Sequence, residues 1–390
     1  MPTVIFATGF VPATEGHGGN RRAFQILHDL ESAVGKERVI SVSFPQWQDS
    51  RPTSRLRDVL FKARRRLAYY VENPFKLFAF NSYSTRGYSD PAFLAYYEEI
   101  ARQTQPTCCV IEHTTFGDLL RINSRLGIPT VSCVQNLEAL HAASYTVGRQ
   151  RVSAYSAAID AANEFRILSH CAERLFISRV ETALVNGLGL PSRYYPYLPV
   201  GTIKRQLEEI RDERANGKID PNLFLLLGSV GNPPTRQSFS WFVTNAKNNG
   251  LAKGIRVIVA GGGTEGLLPP GSVVPGLELR GWLGQAELDQ LLVRVNAVLA
   301  VQRSGFGALT RVAEMACAGV PVLLSRYAAY ALNLPPGVEV VDDTWEAWSG
   351  KLVERSRRGG PGESTGEEYR AWEGVQPRPL SAVVARLGAV

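Results

Sequence analysis

The chain has 390 residues, 45% of them hydrophobic and 20% charged, an ordinary globular composition that excludes fibrous, collagen-like and wholly disordered classes. At about 150 residues per domain, this length indicates two or three domains. The formal net charge of +7 fits an anionic partner, whether a nucleic acid, a lipid surface or a phosphorylated small molecule, and does not choose among them.

The cysteines and the apolar segments bear on the cellular compartment. The five cysteines are scattered and show no metal-ligand spacing, so we expect reduced, buried thiols. The first residues, MPTVIFATGF, lack the basic region and long apolar run of a signal peptide and are interpreted as a first strand. The sequence contains no run of about 18 apolar residues, so no membrane-spanning helix is predicted. We therefore expect a cytoplasmic protein.

Short apolar runs, most of them separated by helix-length segments, follow one another through the first half of the chain. The runs are rich in Val, Ile, Phe and Cys, a pattern typical of parallel α/β units. The predicted strands cover residues 4–8, 38–44, 108–113, 130–136 and 174–179. The pattern predicts a Rossmann-like domain over residues 1–197.

The second half repeats this pattern after a change of composition. A segment rich in Pro and Tyr precedes a polar helical stretch, and we interpret residues 198–221 as an inter-domain connection. A second Rossmann-like domain is predicted over 222–368, with a mobile Gly-rich loop that contains some helix between 349 and 368. A C-terminal helix over 369–390 is expected to return to the first domain. The predicted strands cover 223–229, 256–262, 277–282, 297–302, 321–325 and 338–342.

A literal dinucleotide fingerprint, G-x-G-x-x-G, occupies residues 261–266 after a predicted strand. The fingerprint requires a helix that opens on its last glycine. The segment LLPPGSVVPG follows instead, and its prolines do not support a helix. We expect a ligand-binding loop at the end of this strand and no binding of NAD.

The most informative stretch is LAVQRSGFGALTRVAEMACAGVPVLLS, residues 299–325. Gly305 and Gly307 permit close backbone approach at the expected start of a helix, whose free amides favour a phosphate. Arg303 and Arg311 could bind the same diphosphate, and Glu314 lies on the helix face of Arg311. The alternative is a simple turn, an Arg311–Glu314 pair and buried packing.

This stretch resembles the nucleotide-sugar site of family 4 glycosyltransferases, which have the two-domain GT-B fold. It aligns without a gap with a motif that runs roughly PLRxGGGTRxKxLEAMAxGxPVV. Phe306 replaces the middle glycine, Ala308 a threonine and Leu309 a second arginine. The resemblance implies a donor diphosphate site, with Arg303 and Arg311 as catalytic residues. Its other predicted members are Ser304, Gly305, Phe306, Gly307 and Glu314.

Further motifs occur in the order that the family has. The segment LLLGSVGNPPTRQSFSWFV resembles the first C-terminal strand and loop, where Gly228 is expected to meet the donor and Thr235 to cap the next helix. The strand pair VIVAGGG and LELRGW matches the segment that frames the base in the family. SCVQNLEALH resembles a strand end at which Gln135 replaces the usual histidine.

The N-terminal segment FATGFVPATEGHGGNRRAFQIL resembles the family's first strand and Gly-Gly loop. Gly18 and Gly19 are expected at the donor phosphate, and Asn20 is expected to cap the following helix. His17 and Asn20 are predicted on the acceptor side. His113 ends the third predicted strand, where many of these enzymes carry a histidine that faces the donor sugar, so we predict a contact with a sugar hydroxyl.

A basic stretch covers residues 51–66, with seven basic residues and one acid. Leu56, Val59, Leu60, Ala63 and Leu67 share a helical face, which predicts a basic amphipathic helix. Such a helix could contact an anionic membrane, at the inner membrane surface, or a phosphorylated acceptor. The alternative is a solvated helix that packs through its leucines. No recognition motif accompanies the charge, so nucleic-acid binding is not expected.

Together these features predict an α/β protein of two Rossmann-like domains that face each other across a cleft, as in GT-B. The expected activity is transfer of a sugar from a nucleoside-diphosphate sugar to an acceptor hydroxyl. The resemblance implies retention and no metal, and no D-x-D motif is present. No cofactor is expected beyond this substrate. The alternatives are a nucleotide-sugar epimerase or phosphorylase of the same fold, or a non-catalytic nucleotide-sugar-binding or membrane-surface protein.

Overall fold

The computed structural model describes residues 3–50, 59–60, 63, 67, 88, 90–147, 150–151, 154–358 and 366–388. The chain divides into two compact units. The first unit comprises Met1–Tyr197, Phe306–Ala308 and Pro377–Val390, and the second comprises Leu198–Gly305 and Leu309–Gln376. The C-terminal segment from Pro377 is thus part of the first unit.

The first unit is built on a parallel sheet in the strand order β2-β1-β3-β4-β7-β8. Its central strands are buried along their whole length, which explains their unbroken apolar sequences. A short antiparallel hairpin, β5-β6, is separate from it. The strands are β1 (Val4–Thr8), β2 (Val39–Ser43), β3 (Cys108–Ile111), β4 (Thr130–Val134), β5 (Thr146–Val147), β6 (Gln150–Arg151), β7 (Glu173–Phe176) and β8 (Arg193–Tyr194).

The second unit contains a parallel sheet in the strand order β11-β10-β9-β12-β13-β14. The strands are β9 (Asp220–Leu227), β10 (Arg256–Ala260), β11 (Leu277–Gly281), β12 (Val295–Ala300), β13 (Val322–Ser325) and β14 (Val338–Val341). Strand β9 lies in the middle, between β10 and β12, and its carboxyl end is therefore flanked by the ends of both neighbours.

Helices connect the strands within each unit. In chain order they are α1 (Gly18–Val34), α2 (Phe44–Asp49), α3 (Pro91–Thr104), α4 (Gly117–Leu126), α5 (Glu138–Ala143), α6 (Ala154–Ser169), α7 (Arg179–Gly187), α8 (Gly201–Asn216), α9 (Pro233–Asn249), α10 (Gln285–Arg294), α11 (Thr310–Cys317), α12 (Arg326–Ala329), α13 (Trp345–Arg358), α14 (Gly366–Gly374) and α15 (Pro379–Leu387).

The first sheet has an apolar core on each face, because successive side chains of a strand point to opposite sides. Val4 and Phe6 of β1 face helices α1 and α15, where they pack with Ile26 and Val384. Alternate residues of β1 pack on the other face with aromatic side chains such as Phe93. The C-terminal helix α15 is thereby part of the first unit's core.

On one face of the second unit's sheet, Phe224 and Leu226 of β9 pack with Phe239, Phe242 and Trp348. Helix α8 also belongs to this unit, so the segment expected as an inter-domain connection is a packed helix; its buried residues include Ile203, Leu207 and Ile210. The segment 349–368, expected to be a mobile loop with some helix, is helical in α13 up to Arg358 and in α14 from Gly366, and residues 359–365 lie outside the described residues. Trp345, Trp348 and Leu352 anchor α13 in the core.

All five cysteines are buried free thiols. Burial raises the pKa of Cys133 to about 12 and that of Cys109 to about 11, so both remain protonated at neutral pH. Across the ranges that the structure describes, no helix is both long enough and apolar enough to cross a membrane.

Candidate functional site

In the first unit, the carboxyl ends of β1 and β3 bring two predicted histidines to one aromatic ring. The Phe10 ring follows β1, and its centroid lies 5.1 Å from the ring of His17 and 5.3 Å from the ring of His113. A side chain on Gly19 would lie 2.6 Å from the Phe10 ring, so this helical turn approaches the ring as only glycine can. We call Phe10, His17, Gly19 and His113 the histidine cluster.

Helix α1 begins at Gly18, earlier than the sequence suggested. His17 is its N-cap and its Nδ1 accepts a hydrogen bond from the backbone N–H of Gly19 at 3.1 Å. The prediction that Asn20 caps this helix is therefore wrong, because Asn20 lies inside the first turn and donates its Nδ2 to the Val11 carbonyl at 2.9 Å. Burial lowers the pKa of His17, which favours the neutral ring that this acceptor role needs.

Below the histidine cluster lies a fully buried carboxyl group, Glu112, that the sequence reading missed. It accepts hydrogen bonds from the Thr8 hydroxyl and, at 2.5 Å, from the Gln135 amide. The Thr8 hydroxyl in turn accepts from the Phe10 N–H at 3.0 Å. Burial raises the pKa of Glu112. Gln135 thus ties the end of β4 to the end of β3.

Three further carboxyl groups, which we call the carboxyl cluster, meet at the backbone of residues 137–139: Glu138, Glu164 and Glu181. Glu138 and Glu164 act on His113, whereas Glu181 contacts Leu137. Glu164 accepts from the Thr114 hydroxyl at 2.7 Å and from the N–H groups of Glu138 and Ala139 at 3.0 and 3.2 Å. Glu181 accepts from the Leu137 N–H. Burial raises the pKa of both Glu164 and Glu181 to about 8.

We expect these raised pKa values to make the first unit less stable as the pH rises. A carboxyl group whose pKa is higher in the folded state binds protons more tightly there, so its stabilising contribution is complete below pH 4.5 and is lost as the pH rises through about 8. The melting temperature should therefore fall between about pH 5 and pH 8, and Glu181→Gln should flatten that fall. Thermal melts across this pH range test the prediction. The control is Glu98→Gln, which removes a partly exposed carboxylate that pairs with Arg102 and Arg125. An equal slope in both variants would contradict the assignment.

In the second unit, backbone hydrogen bonds join the loops at the carboxyl ends of β9, β10 and β11. The N–H of Gly228 donates to Ala260 at 2.9 Å, and the N–H of Val230 donates to Gly262 at 3.0 Å. The N–H of Gly261 donates to Gly281 at 2.6 Å. After the G-x-G-x-x-G sequence the structure has one 3-10 turn, Thr264–Leu267, and then extended backbone.

We expect Gly261→Ala to disrupt this set of loops. The backbone of Gly261 has φ +123°, and an added Cβ would lie 2.2 Å from the Gly228 carbonyl oxygen, so both strain and overlap oppose a side chain. We expect a loss of about 2–4 kcal/mol in the free energy of unfolding, measured by denaturant titration. Gly266→Ala is the matched control, because nothing lies within 4 Å of its Cβ position. Equal stability of the two variants would contradict this reading.

The loop after β9 meets helix α11 through Arg311. A side chain on Gly228 would lie 2.6 Å from Nη1 of Arg311, and Nη1 donates to the Leu227 carbonyl at the end of β9. Nε of Arg311 is buried and has no hydrogen-bond partner in the described part of the chain. Burial lowers the pKa of Arg311 to about 10, an effect that Glu314 partly offsets, so the guanidinium is charged at neutral pH.

The remaining predicted residues of this stretch are spread over a loop. Helix α11 begins only at Thr310, so the free amides of its first turn do not belong to Gly305 and Gly307, contrary to expectation. These glycines have φ +95° and +85° and shape the preceding loop, since their backbone is left-handed. Gly305 lies in the second unit, whereas Phe306 and Gly307 fall in the segment that groups with the first.

Arg303 and Ser304 are held by neighbours within the second unit. The Arg303 guanidinium lies 4.2 Å from the Trp241 ring centre and donates to the Asp343 carbonyl at 2.7 Å. The Ser304 hydroxyl donates to Gln237 at 2.9 Å. Thr235 does not cap helix α9; its N-cap is Asn232, followed by two prolines that suit the first turn.

Sequence reasoning missed Trp282, which follows β11 directly and is 73% exposed. A large aromatic side chain left in solvent at the carboxyl edge of a sheet is a surface on which a flat ring could stack. Its signal in the sequence is a tryptophan that ends a predicted strand. Within the described ranges, no group of three or more His, Cys, Asp or Glu side chains is placed to hold a metal ion.

Comparison with known proteins identifies the fold. No protein-family model matches the sequence, and no curated protein matches it. Solved structures do match, and sucrose-phosphate synthase from Thermosynechococcus elongatus has a TM-score of 0.64 over 99% of this chain and 98% of that one, at 13% identity. The chain has the GT-B fold.

Two other GT-B structures agree over the whole length. Anabaena HepE in complex with UDP-glucose has a TM-score of 0.60 at 9% identity and covers 100% of both chains. WaaG, a glycosyltransferase involved in lipopolysaccharide biosynthesis, has a TM-score of 0.55 at 13% identity and covers 98% of both. The predicted fold class is confirmed, and membership of family 4 within GT-B stays a prediction.

Proposed function

We propose that this protein is a glycosyltransferase that moves a sugar from a nucleoside-diphosphate sugar to an acceptor hydroxyl. The observation that carries the proposal is the charged, half-buried Arg311 guanidinium at the carboxyl edge of the second sheet, whose buried Nε–H has no hydrogen-bond partner among the described residues. A buried N–H without an acceptor is costly, and open α/β sheets bind ligands at this edge. A diphosphate supplies the missing acceptor oxygens.

The chemistry fits the residues around Arg311. The leaving group of such a transfer is a diphosphate, so the protein must stabilise negative charge that develops on it. Arg311 supplies a fixed charge, while Gly228 and Gly305 leave room for close approach, and Ser304 and Glu314 complete the donor site. Arg303 adds positive charge from its place beside Trp241. We propose that the transfer proceeds with retention and without a metal, as the resemblance to family 4 implies.

Trp282 is the proposed platform for the nucleotide base. Stacking of a base on an aromatic side chain contributes about 1–3 kcal/mol, and the exposed indole lies next to the backbone-paired loops of β9 and β10. Uracil is the first base to test, because the HepE structure contains UDP-glucose. The panel of nucleotide sugars described below also identifies the sugar.

We propose that the histidine cluster of the first unit binds the donor sugar and the acceptor. His113 hydrogen-bonds a hydroxyl of the donor sugar, and Gly18 and Gly19 admit the donor phosphate at the start of α1, where the positive end of the helix dipole favours an anion. His17 and Asn20 are proposed on the acceptor side. We propose that Phe306 and Gly307 contact the donor through their backbone atoms. Gly307 has φ +85°, a left-handed conformation that favours glycine, so it offers backbone and no side chain.

We also propose peripheral contact with an anionic membrane through residues 51–66, most of which lie outside the described residues. Val59, Leu60 and Leu67 are described and are 61%, 58% and 62% exposed. Apolar side chains beside seven basic residues suit an anionic bilayer surface. Co-sedimentation with phosphatidylglycerol vesicles tests this, and the triple variant R64E, R65E, R66E should abolish it while phosphatidylcholine vesicles bind neither form.

The activity is tested by measuring nucleoside-diphosphate release from a panel of nucleotide sugars, with and without a pool of glycans and lipids as acceptors. Release that depends on the acceptor pool supports transfer. Conversion of the donor without any acceptor would indicate the epimerase or phosphorylase alternative. Donor binding without turnover in every mixture would indicate a non-catalytic protein.

A further inference from the structure

His113 is held in the first unit by a carboxylate from a different part of the chain. Its Nδ1 lies 3.4 Å from Oε1 of Glu138, and the histidine is 8% exposed. The same Oε1 accepts from Nδ2 of Asn136 at 3.1 Å. No hydrogen bond within the described residues involves Nε2 of His113. Nδ1 of His113 therefore pairs with a protein group, whereas Nε2, among the described residues, does not.

Glu138 is aimed at His113 by the backbone on both sides of it. Three successive N–H groups, those of Leu137, Glu138 and Ala139, donate to carboxyl oxygens of Glu181 and Glu164. Glu164 also accepts from Thr114, the residue after His113, at 2.7 Å. A single carboxyl group thus joins the backbone of Glu138 to the loop that carries His113, which fixes their separation.

The electrostatic surroundings of His113 come from several elements. Burial alone would lower its pKa, but the hydrogen bond and charge of Glu138 and the charges of the other carboxyl groups raise it above the ordinary value. The presence of His113 conversely lowers the pKa of Glu138 against the effect of burial. The titratable groups that face the ring are Glu112, Glu138, Glu164 and His141, with His17 across Phe10.

We propose that Glu138 is the positioning residue of His113, whose carboxylate holds the Nδ1–H of the ring and leaves Nε2 as the atom that meets a ligand. The identity of that ligand, a sugar hydroxyl, rests on the proposed function; the pairing itself does not. When the ring is neutral, Nε2 accepts a hydrogen bond from a hydroxyl group. When the ring is protonated, Nε2–H donates a hydrogen bond to a hydroxyl oxygen. Glu138 decides which of these forms is present at a given pH.

Histidine NMR tests the pairing without any substrate. The chain has five histidines, which can be labelled with nitrogen-15 and assigned by single substitutions. In the wild type, His113 should carry its proton on Nδ1 when neutral. Glu138→Gln keeps an acceptor but removes the charge, so the pKa of His113 should fall by about one unit or more with the tautomer preserved. Glu138→Ala should remove both the raised pKa and the tautomer preference.

Glu181→Gln is the matched control, since it removes a buried carboxyl group that touches the backbone of Leu137 and not His113. It should leave the His113 titration unchanged. Equal shifts in Glu181→Gln and Glu138→Gln, or no shift in either, would overturn the proposal. Thermal melts establish that each variant is folded before its titration is interpreted.

Donor binding then separates this inference from the proposed function. Glu138→Ala should weaken binding of the preferred nucleotide sugar about tenfold, the loss of one oriented hydrogen bond, while the plain nucleoside diphosphate binds as before. If the NMR shifts occur as stated but both His113→Ala and Glu138→Ala bind and turn over the donor normally, the pairing stands and the sugar contact assigned to His113 is wrong.

Discussion

Replacement of Arg311 by alanine is expected to weaken binding of a nucleoside diphosphate about 100-fold, since each charge-assisted hydrogen bond contributes about 1.5–3 kcal/mol. The half-buried guanidinium lies beside Gly228, and its buried Nε–H has no hydrogen-bond partner among the described residues. Because it also donates to Leu227, the variant must be shown to fold. Isothermal titration of the wild type and the variant measures the effect.

Two further variants define the origin of that loss. Arg311→Lys keeps the charge but lacks the fork of donors, and it should bind with intermediate affinity. Arg303→Ala removes a guanidinium that already packs on Trp241 and donates to Asp343, so its effect should be at most about fivefold. A folded Arg311→Ala protein that binds as tightly as the wild type would contradict the site assignment.

Replacement of Arg22 by alanine is expected to destabilise the first unit by about 3–5 kcal/mol, the range for breaking a buried charged network. Arg22 is 1% exposed. Its Nη1 donates to Gln25 at 2.6 Å and to the Pro196 carbonyl at 2.9 Å, and Nη2 donates to the Tyr195 carbonyl at 2.7 Å. Its charge also lies 4.0 Å from the centre of the Tyr195 ring.

This loss is specific to a buried network that fixes the segment after β8 against α1. Urea unfolding followed by tyrosine fluorescence measures it. Arg121→Ala is the control, because Arg121 is 53% exposed and pairs only with Asp118, three residues earlier, so its loss should cost less than about 1 kcal/mol. Similar stability changes in the two variants would show that the Arg22 network contributes little.

The architecture was predictable because it depends on local patterns. Most main-sheet strands leave an apolar run in the sequence, because parallel strands buried on both faces need such runs, whereas the edge strand β11 alternates as LELRG. The short strand β8 and the hairpin β5-β6 leave no such run. The start of α1 was misplaced, because a histidine at the N-cap competes with the more usual asparagine three residues later.

The candidate site was only partly predictable, since its chemistry depends on burial and on contacts between distant segments. Two separate motifs identified Arg311 and Gly228, but the sequence does not show that these residues lie against each other or that Nε of Arg311 is buried. Glu112, Glu138, Glu164 and Glu181 come from four separate segments of the first unit. Nothing in their spacing indicates that three of them surround one histidine.

A thermal-shift panel of nucleoside monophosphates, diphosphates and nucleotide sugars tests the central claim most directly. At 100 times its dissociation constant, a ligand adds about 2.7 kcal/mol of stability, which should raise the melting temperature by about 5 °C or more. The account predicts such a rise for at least one diphosphate and its sugar, a smaller rise for the monophosphate and none with Arg311→Ala. A flat response of the wild type to every diphosphate, or an undiminished response of Arg311→Ala, would contradict it.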